Sequence, residues 1–328
     1  MSSRGETGVA RPGIDEAVFS VFDLDRACAA LVQAGGYERL PLPDCPAEQF
    51  EAWRVPPGCT RIEQALLTVG GELRGRIRVV AFHGVERELI RPSQRSWDTG
   101  GIFDLDMFSA DVRAVYRRLQ QDHGWTAFGE PVDYEMGDFD VTQVVAKGPD
   151  GLMLAIIEPH HTLDFDTGPI DPLSRVFNST QMVRDLDAAL EFYCSILGWQ
   201  ALVRLDIEDA TEPGADVLGI PQPIAHGCKR RIAIVHPLGI NDGSVELIQV
   251  EELEGRDYSS RAVAPNVGLL ALRMAVEDPA SYAEQIVARG GQIYAGPTRV
   301  DIAPFGPTDC VSVRTPDGAI LEFVGRPG

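Results

Sequence analysis

With 328 residues, of which 44% are apolar and 24% charged, the chain has room for two ordinary globular domains. A net charge of −20, from 49 acidic and 29 basic residues, argues against nucleic acid or an anionic membrane surface as a partner. No apolar run approaches the ~20 residues of a membrane helix, and the six cysteines lack metal-binding spacing and read as reduced thiols.

The first residues, MSSRGETGVARPG, contain no apolar stretch of the kind an export signal carries. Residues 1–12 are therefore expected to be a disordered tail and the protein to be cytoplasmic. Glu16 to Val21 is then a β-prone run that leads into an amphipathic helix from Asp25 to Ala34, with β-rich pieces at Thr60 to Val69 and Arg76 to Phe82. A second unit of the same plan has a strand from Ile102 to Met107, a helix from Asp111 to Gln121 and strands near Val141 to Ala146 and Leu152 to Ile157. Pro159, Gly168, Pro169 and Pro172 mark a linker over 159–173. In the third unit a strand from Val176 to Val183 precedes Asp185 at a helix N-cap, and Gly198 stops the helix. Strands follow near Lys229 to Val235 and Val245 to Val250. The fourth unit has a strand from Leu269 to Met274, a helix opened by Asp278 and Pro279, and strands at Val311 to Arg314 and Ile320 to Val324.

The units repeat pairwise. Asp23-Leu24-Asp25 and Gly36-Tyr37 recur 162 positions later as Asp185-Leu186-Asp187 and Gly198-Trp199. Gly101, Phe103, Leu105 and Met107 recur 167 positions later as Gly268, Leu270, Leu272 and Met274. A fixed offset over whole segments is the mark of an internal duplication. It divides the chain into halves at 13–158 and 174–328.

The phrases VRDLDAALEFYCSILGW, SVELIQ, GLLALRMAVEDPASYAEQIVARGG and TPDGAILEFVG, which together cover most of 174–325, carry a further likeness. The chain resembles the vicinal oxygen chelate superfamily, the group of glyoxalases, bleomycin-resistance proteins and extradiol dioxygenases. The resemblance implies an α+β fold of four βαβββ units forming two cupped mixed sheets with helices outside. It also implies metal ligands on the first, fourth, fifth and eighth strands of a cup. In the second half these positions hold Asn178, Glu246, Leu269 and Glu322, and in the first half Glu16, Val79, Ile102 and Ala155. Leucine binds no metal and an amide oxygen binds one weakly, so no cofactor is expected beyond a loosely held divalent cation on Glu246, Glu322 and Asn178. The units can pair within each half, or the first with the fourth and the second with the third.

Period-two alternation indicates which residues face the cup. If Phe103, Leu105 and Met107 pack on helices, then Ile102, Asp104 and Asp106 point inward; by the same rule Leu269, Ala271, Arg273, Ile320, Glu322 and Val324 point inward. Glu322 and Glu246 are then candidates for general acid and base, with Arg273 placed to hold a carboxylate or an enolate oxygen. Asn178, Leu269, Ile248, Val324 and Glu16 would line the ligand site, with His226 and Tyr258 closing over it from loops. The leading reading is a lyase or isomerase acting on a small oxygenated molecule, without a metal or with weak assistance from one. A non-catalytic binder that sequesters a small molecule is the alternative, and a metal-dependent glyoxalase or dioxygenase the third. The chain is expected to be a monomer or a homodimer.

Overall fold

A computed structural model describes residues 13–136, 139–163, 165–207, 218–225 and 227–325. The expected tail over 1–12 and His226 lie outside the described residues. The first unit comprises β1 (Ile14–Ser20), α1 (Leu24–Gln33), β2 (Glu38–Pro41), α2 (Ala47–Ala52), β3 (Arg61–Thr68) and β4 (Arg76–His83). The second has β5 (Leu105–Ser109), α3 (Val112–His123), β6 (Thr126–Ala127), β7 (Val132–Met136), β8 (Phe139–Lys147) and β9 (Met153–Pro159). In the third are β10 (Leu173–Met182), α4 (Leu186–Leu190), β11 (Gln200–Ile207), α5 (Gln222–Ala225), β12 (Arg230–His236) and β13 (Ser244–Val250). The fourth is β14 (Gly268–Val276), α6 (Pro279–Ala288), β15 (Ile293–Ile302), β16 (Gly306–Arg314) and β17 (Ile320–Gly325).

Aspartate opens the long helix of every unit. Asp23, Asp111, Asp185 and Asp278 each accept a hydrogen bond from a free amide of the first turn of α1, α3, α4 and α6. Beyond α4 the chain widens into a π-helical turn over Glu191–Ile196, and Gly198 follows at a φ of 77° that favours glycine. The inner faces of these helices and the backs of the sheets share one large core that includes Phe19, Leu31, Met107, Leu119, Tyr193 and Phe323.

Two sheets result, and each draws on both halves of the sequence. The first, in the order β15-β16-β17-β14-β1-β4-β3-β2, joins the fourth unit to the first. The second, β11-β12-β13-β10-β5-β9-β8-β6 with β7 on β8, joins the third to the second. Antiparallel contacts between β1 and β14, and between β10 and β5, make the two junctions. The swapped pairing left open by the sequence is therefore the one adopted.

At both junctions the strand alternation slips. The amides of Phe103 and Asp104 both point to the carbonyl of Thr180, at 2.8 and 3.4 Å, as in a β-bulge. Phe103 consequently turns into the second cup while Ile102 joins the helix-side core, the reverse of simple alternation. A register shift between Val18 and Phe19 does the same to β14. Leu270 packs on the cup side and Leu269 on the helix side, so Leu269 does not line a site as expected.

Candidate functional site

Register gives the residue correspondence between the two cups. In the first, Glu16 is opposite Arg273, Val18 opposite Arg78, and Arg273 opposite Glu322. In the second, Asn178 is opposite Asp106, Thr180 opposite Glu246, and Asp106 opposite Ala155. Glu16, Arg78, Arg273 and Glu322 thus correspond to Asn178, Glu246, Asp106 and Ala155. The expected counterpart of Glu246, Val79, is one position off and lies in the helix-side core. Glu322 and Glu246 lie on different sheets and do not form an acid–base pair, because the units pair across the halves.

The first cup is a closed charge network. Arg78 donates from Nε and Nη2 to the two oxygens of Glu16 at 2.7 and 2.9 Å, and from Nη1 to Gln64 at 2.6 Å. Arg273 donates to Glu16 at 2.6 Å and, from Nε and Nη2, to Glu322 at 3.0 and 2.8 Å. The indole of Trp53 donates to the other oxygen of Glu322. Burial alone would raise the carboxyl of Glu16, but the facing guanidinium groups of Arg78 and Arg273 hold it at about 2. The same two carboxylates hold Arg273 protonated against its burial. Glu16, Arg273 and Glu322 are fully buried. Above them Trp53, at the end of α2, packs with Val18, Ile62, Phe82 and Ile320, while Ala52 and Phe305 cover Val324. Two carboxylates meet the guanidinium groups of Arg78 and Arg273, a third buried guanidinium, Arg76, adds its charge opposite Glu16, and the cup is plugged.

Arg78, Trp53 and the plugging helix α2 are what sequence reasoning missed. The available signal was Arg78 within RIRVVAF, a cation among apolar strand residues.

The second cup is the opposite case. Asp104, Asp106, Asn178 and Thr180 are buried on its floor, whereas Glu246 keeps partial exposure. Thr180 donates from its hydroxyl to Glu246 at 3.2 Å and from its amide to Asp104 at 3.2 Å. Asp104 and Asp106 are two positions apart at the start of β5, and the charge of Asp104 acts on Asp106. Burial pushes Asp104 up to about 6. Burial together with the charge of Asp104 takes Glu246 to about 7, and burial with both neighbouring acids takes Asp106 well above the usual range. Oδ1 of Asp106 and Oδ1 of Asn178, cross-strand neighbours, are buried without a donor.

The walls near the floor are apolar, and the mouth carries Thr99, Arg184 and Asp257. Met182, Ile248, Phe103, Val145 and Ala155 pack around the floor. A cavity of about 180 Å³ is lined by Met182, Ile248, Val250, Trp97, Leu253 and Asp257, among others. Met182 and Ile248 follow Thr180 and Glu246 on the same strand faces, so the cavity begins about 7 Å, one pleat, from the Glu246 position. Its roof comes from the segments joining β4 to β5 and β13 to β14, which bridge at Thr99 and Asp257. Ile248, a candidate ligand contact, lines this cavity. Tyr258 is instead buried beside it, its amide bonded to Thr99 and its ring facing Arg261.

The donor sets do not suit a metal ion. In the first cup, guanidinium nitrogens hold the carboxylate oxygens that an ion would need. In the second, Ala155 stands where a fourth ligand would be needed and offers no donor. Among the described residues, no three His, Cys, Asp or Glu side chains converge as an ion requires.

Residues 175–323 match the family model of the Glyoxalase/Bleomycin resistance protein/Dioxygenase superfamily. Glyoxalase I from Zea mays is similar in fold, with a TM-score of 0.61 at 18% identity over 96% of this chain and 92% of that one. A putative dioxygenase from Bacillus subtilis has a TM-score of 0.56 at 12% identity, covering 96% of this chain and 86% of that one. No curated protein sequence matches. Among the described residues no helix is long and apolar enough to cross a membrane. The family match places residues 175–323 in the Glyoxalase/Bleomycin resistance protein/Dioxygenase superfamily, and the whole chain, with four βαβββ units in two cupped sheets, has the glyoxalase-like fold.

Proposed function

We propose that the second cup is the active site of a lyase or isomerase that moves protons on a small organic molecule by carboxyl chemistry. One observation carries the reading: the partly exposed carboxyl of Glu246, raised to about 7 by burial and by the charge of Asp104, is two positions along β13 from Ile248, which lines the cavity. A group half-ionised at neutral pH can both take and return a proton, which is the requirement for general acid–base catalysis. Glu246 would abstract a proton from carbon next to a carbonyl, with Thr180 orienting it. The Asp104–Asp106 pair would return a proton elsewhere on the substrate. Glu322 and Arg273, spent on each other and on Glu16, stabilise the first cup in this reading and take no part in chemistry. No step calls for a metal.

The test is proton exchange. A panel of small oxo and hydroxy compounds is incubated with the protein in D2O, and deuterium at carbon is read by mass spectrometry. Enzyme-dependent incorporation that Glu246→Gln abolishes supports the assignment. Incorporation that survives the substitution refutes it. Compounds retained without any exchange would favour the sequestering reading, which the apolar walls also suit.

A further inference from the structure

The two cups are built on the same register, and the first displays what fills such a floor. There a guanidinium group, Arg273, lies between Glu16 and Glu322, and a second, Arg78, completes Glu16. At the corresponding positions of the second cup both arginines are replaced by acids, Asp106 for Arg273 and Glu246 for Arg78. The cation is lost and acceptors take its place. Oδ1 of Asp106 and Oδ1 of Asn178 are left buried with no donor, although each residue is no more than 5% exposed. Asn178 donates from Nδ2 to Asn241 at 3.5 Å and lies on the cup face, since Gln181, three positions on and on the opposite strand face, donates to Tyr193 on the helix side.

The remaining charges near this floor are committed or distant. Arg91 acts on Asp104 from the segment before β5, but its guanidinium donates to the carbonyls of Arg95, Asp98 and Gly100. Arg184, at the mouth, pairs with Asp257 and Asp317, each at 3.2 Å. Arg230 is on the same face of β12 but opposite Val250, four positions along β13 from Glu246. Asp104 and Thr180 bond to each other through carboxyl and amide.

Resting on the reading of this cup as the active site, we infer that it takes a small organic cation, a primary ammonium or guanidinium group on a short apolar body. The cationic head donates to Asp106 and Asn178, and the charge of Glu246 across the cup favours it while leaving that carboxyl to take the substrate proton. The apolar body lies along Met182 and Ile248 in the cavity. A buried acceptor without a donor is costly, and a charge-assisted donor supplied by the ligand removes that cost.

Calorimetric titration of the intact protein with n-butylammonium and methylguanidinium, against n-butanol and butyrate as isosteric controls, tests this. The cations are expected to bind, and the controls to bind at least tenfold more weakly. Affinity rises from pH 6 to pH 8 as the acids ionise, and protons are released, read as a dependence of the heat on buffer. Glu246→Gln and Asp106→Asn are each expected to weaken the cation by about thirtyfold or more, as for loss of one partner of a buried charge pair. Leu253→Trp, which fills the mouth and leaves the floor intact, is expected to abolish binding. Butanol or butyrate binding as tightly as the amines overturns the inference, as does amine binding indifferent to both floor substitutions. No binding of either cation up to tens of millimolar overturns it, as does stoichiometric calcium or magnesium binding that displaces the amine. Proton exchange on a neutral substrate, lost in Glu246→Gln, would leave the acid–base reading standing while this inference falls.

Discussion

Replacing Glu246 by Gln should stabilise the protein, and only at the alkaline end. In the unfolded chain this carboxyl titrates near 4.5, and in the fold burial and Asp104 hold it at about 7. Below pH 4.5 it is protonated in both states and contributes nothing. Between 4.5 and 7 the unfolded chain ionises first, so stability falls as pH rises, and above 7 the full cost is present. At about 1.4 kcal/mol per pH unit the cost reaches about 3 kcal/mol. Because Asp106 feels the same charge, the relief is shared and this figure is a ceiling. Glutamine keeps the volume and can still accept from Thr180. Urea unfolding of both proteins at pH 5, 6, 7 and 8 reads the difference directly. A gap below about 1 kcal/mol at pH 5 that widens toward about 3 kcal/mol by pH 7 to 8 is expected, with proton exchange lost in the same variant. A constant gap across the range, or a destabilised variant at pH 8, would refute the placement of an ionising carboxyl on that floor.

Arg273→Met should cost about 3–5 kcal/mol in urea unfolding at neutral pH, because it leaves Glu16 and Glu322 buried without their shared cation. The acid limb has the other sign. Glu16, at about 2 in the fold against 4.5 unfolded, contributes stability above pH 4.5 that is lost as pH falls toward 2, so unfolding in that range should take up protons. With Glu246 pulling the opposite way, the stability maximum falls near pH 5. Treatment with a strong chelator should leave both melting temperature and proton exchange unchanged, as checked by scanning calorimetry and the deuterium assay.

Much of the fold was legible because it rests on local chemistry. Asp185, Asp278 and Gly198 mark helix ends by hydrogen bonding and backbone freedom, and these act within one turn. The pairing of units was not legible. Every unit offers its first strand as an open edge with the same alternation, and nothing local distinguishes one partner from another. The bulge that exchanges Phe103 for Ile102 costs one residue of register and leaves no mark in the amino-acid pattern. That slip misassigned Leu269, and counting through unequal loops put Val79 in place of Arg78. Glu246, Asn178 and Ile248 could be read together because β10 and β13 pair in uninterrupted parallel register. Asp104 and Asp106 were recognised as inward-facing, but their meaning required the neighbouring carboxyl of Glu246, which comes from a different half of the chain.

That exchange of units has a consequence for any attempt to cut the protein in two. An excised second half would hold β10 and β14 with their junction edges bare, since both natural partners, β5 and β1, come from the other half. The two halves produced as separate polypeptides are expected to recombine into one particle, as a split reporter does. A second half alone is expected to meet another copy of itself head to tail, its third unit against the other's fourth. In the joined chain the connection from β9 to β10 holds the two halves at high local concentration, so that neither edge waits long for its partner.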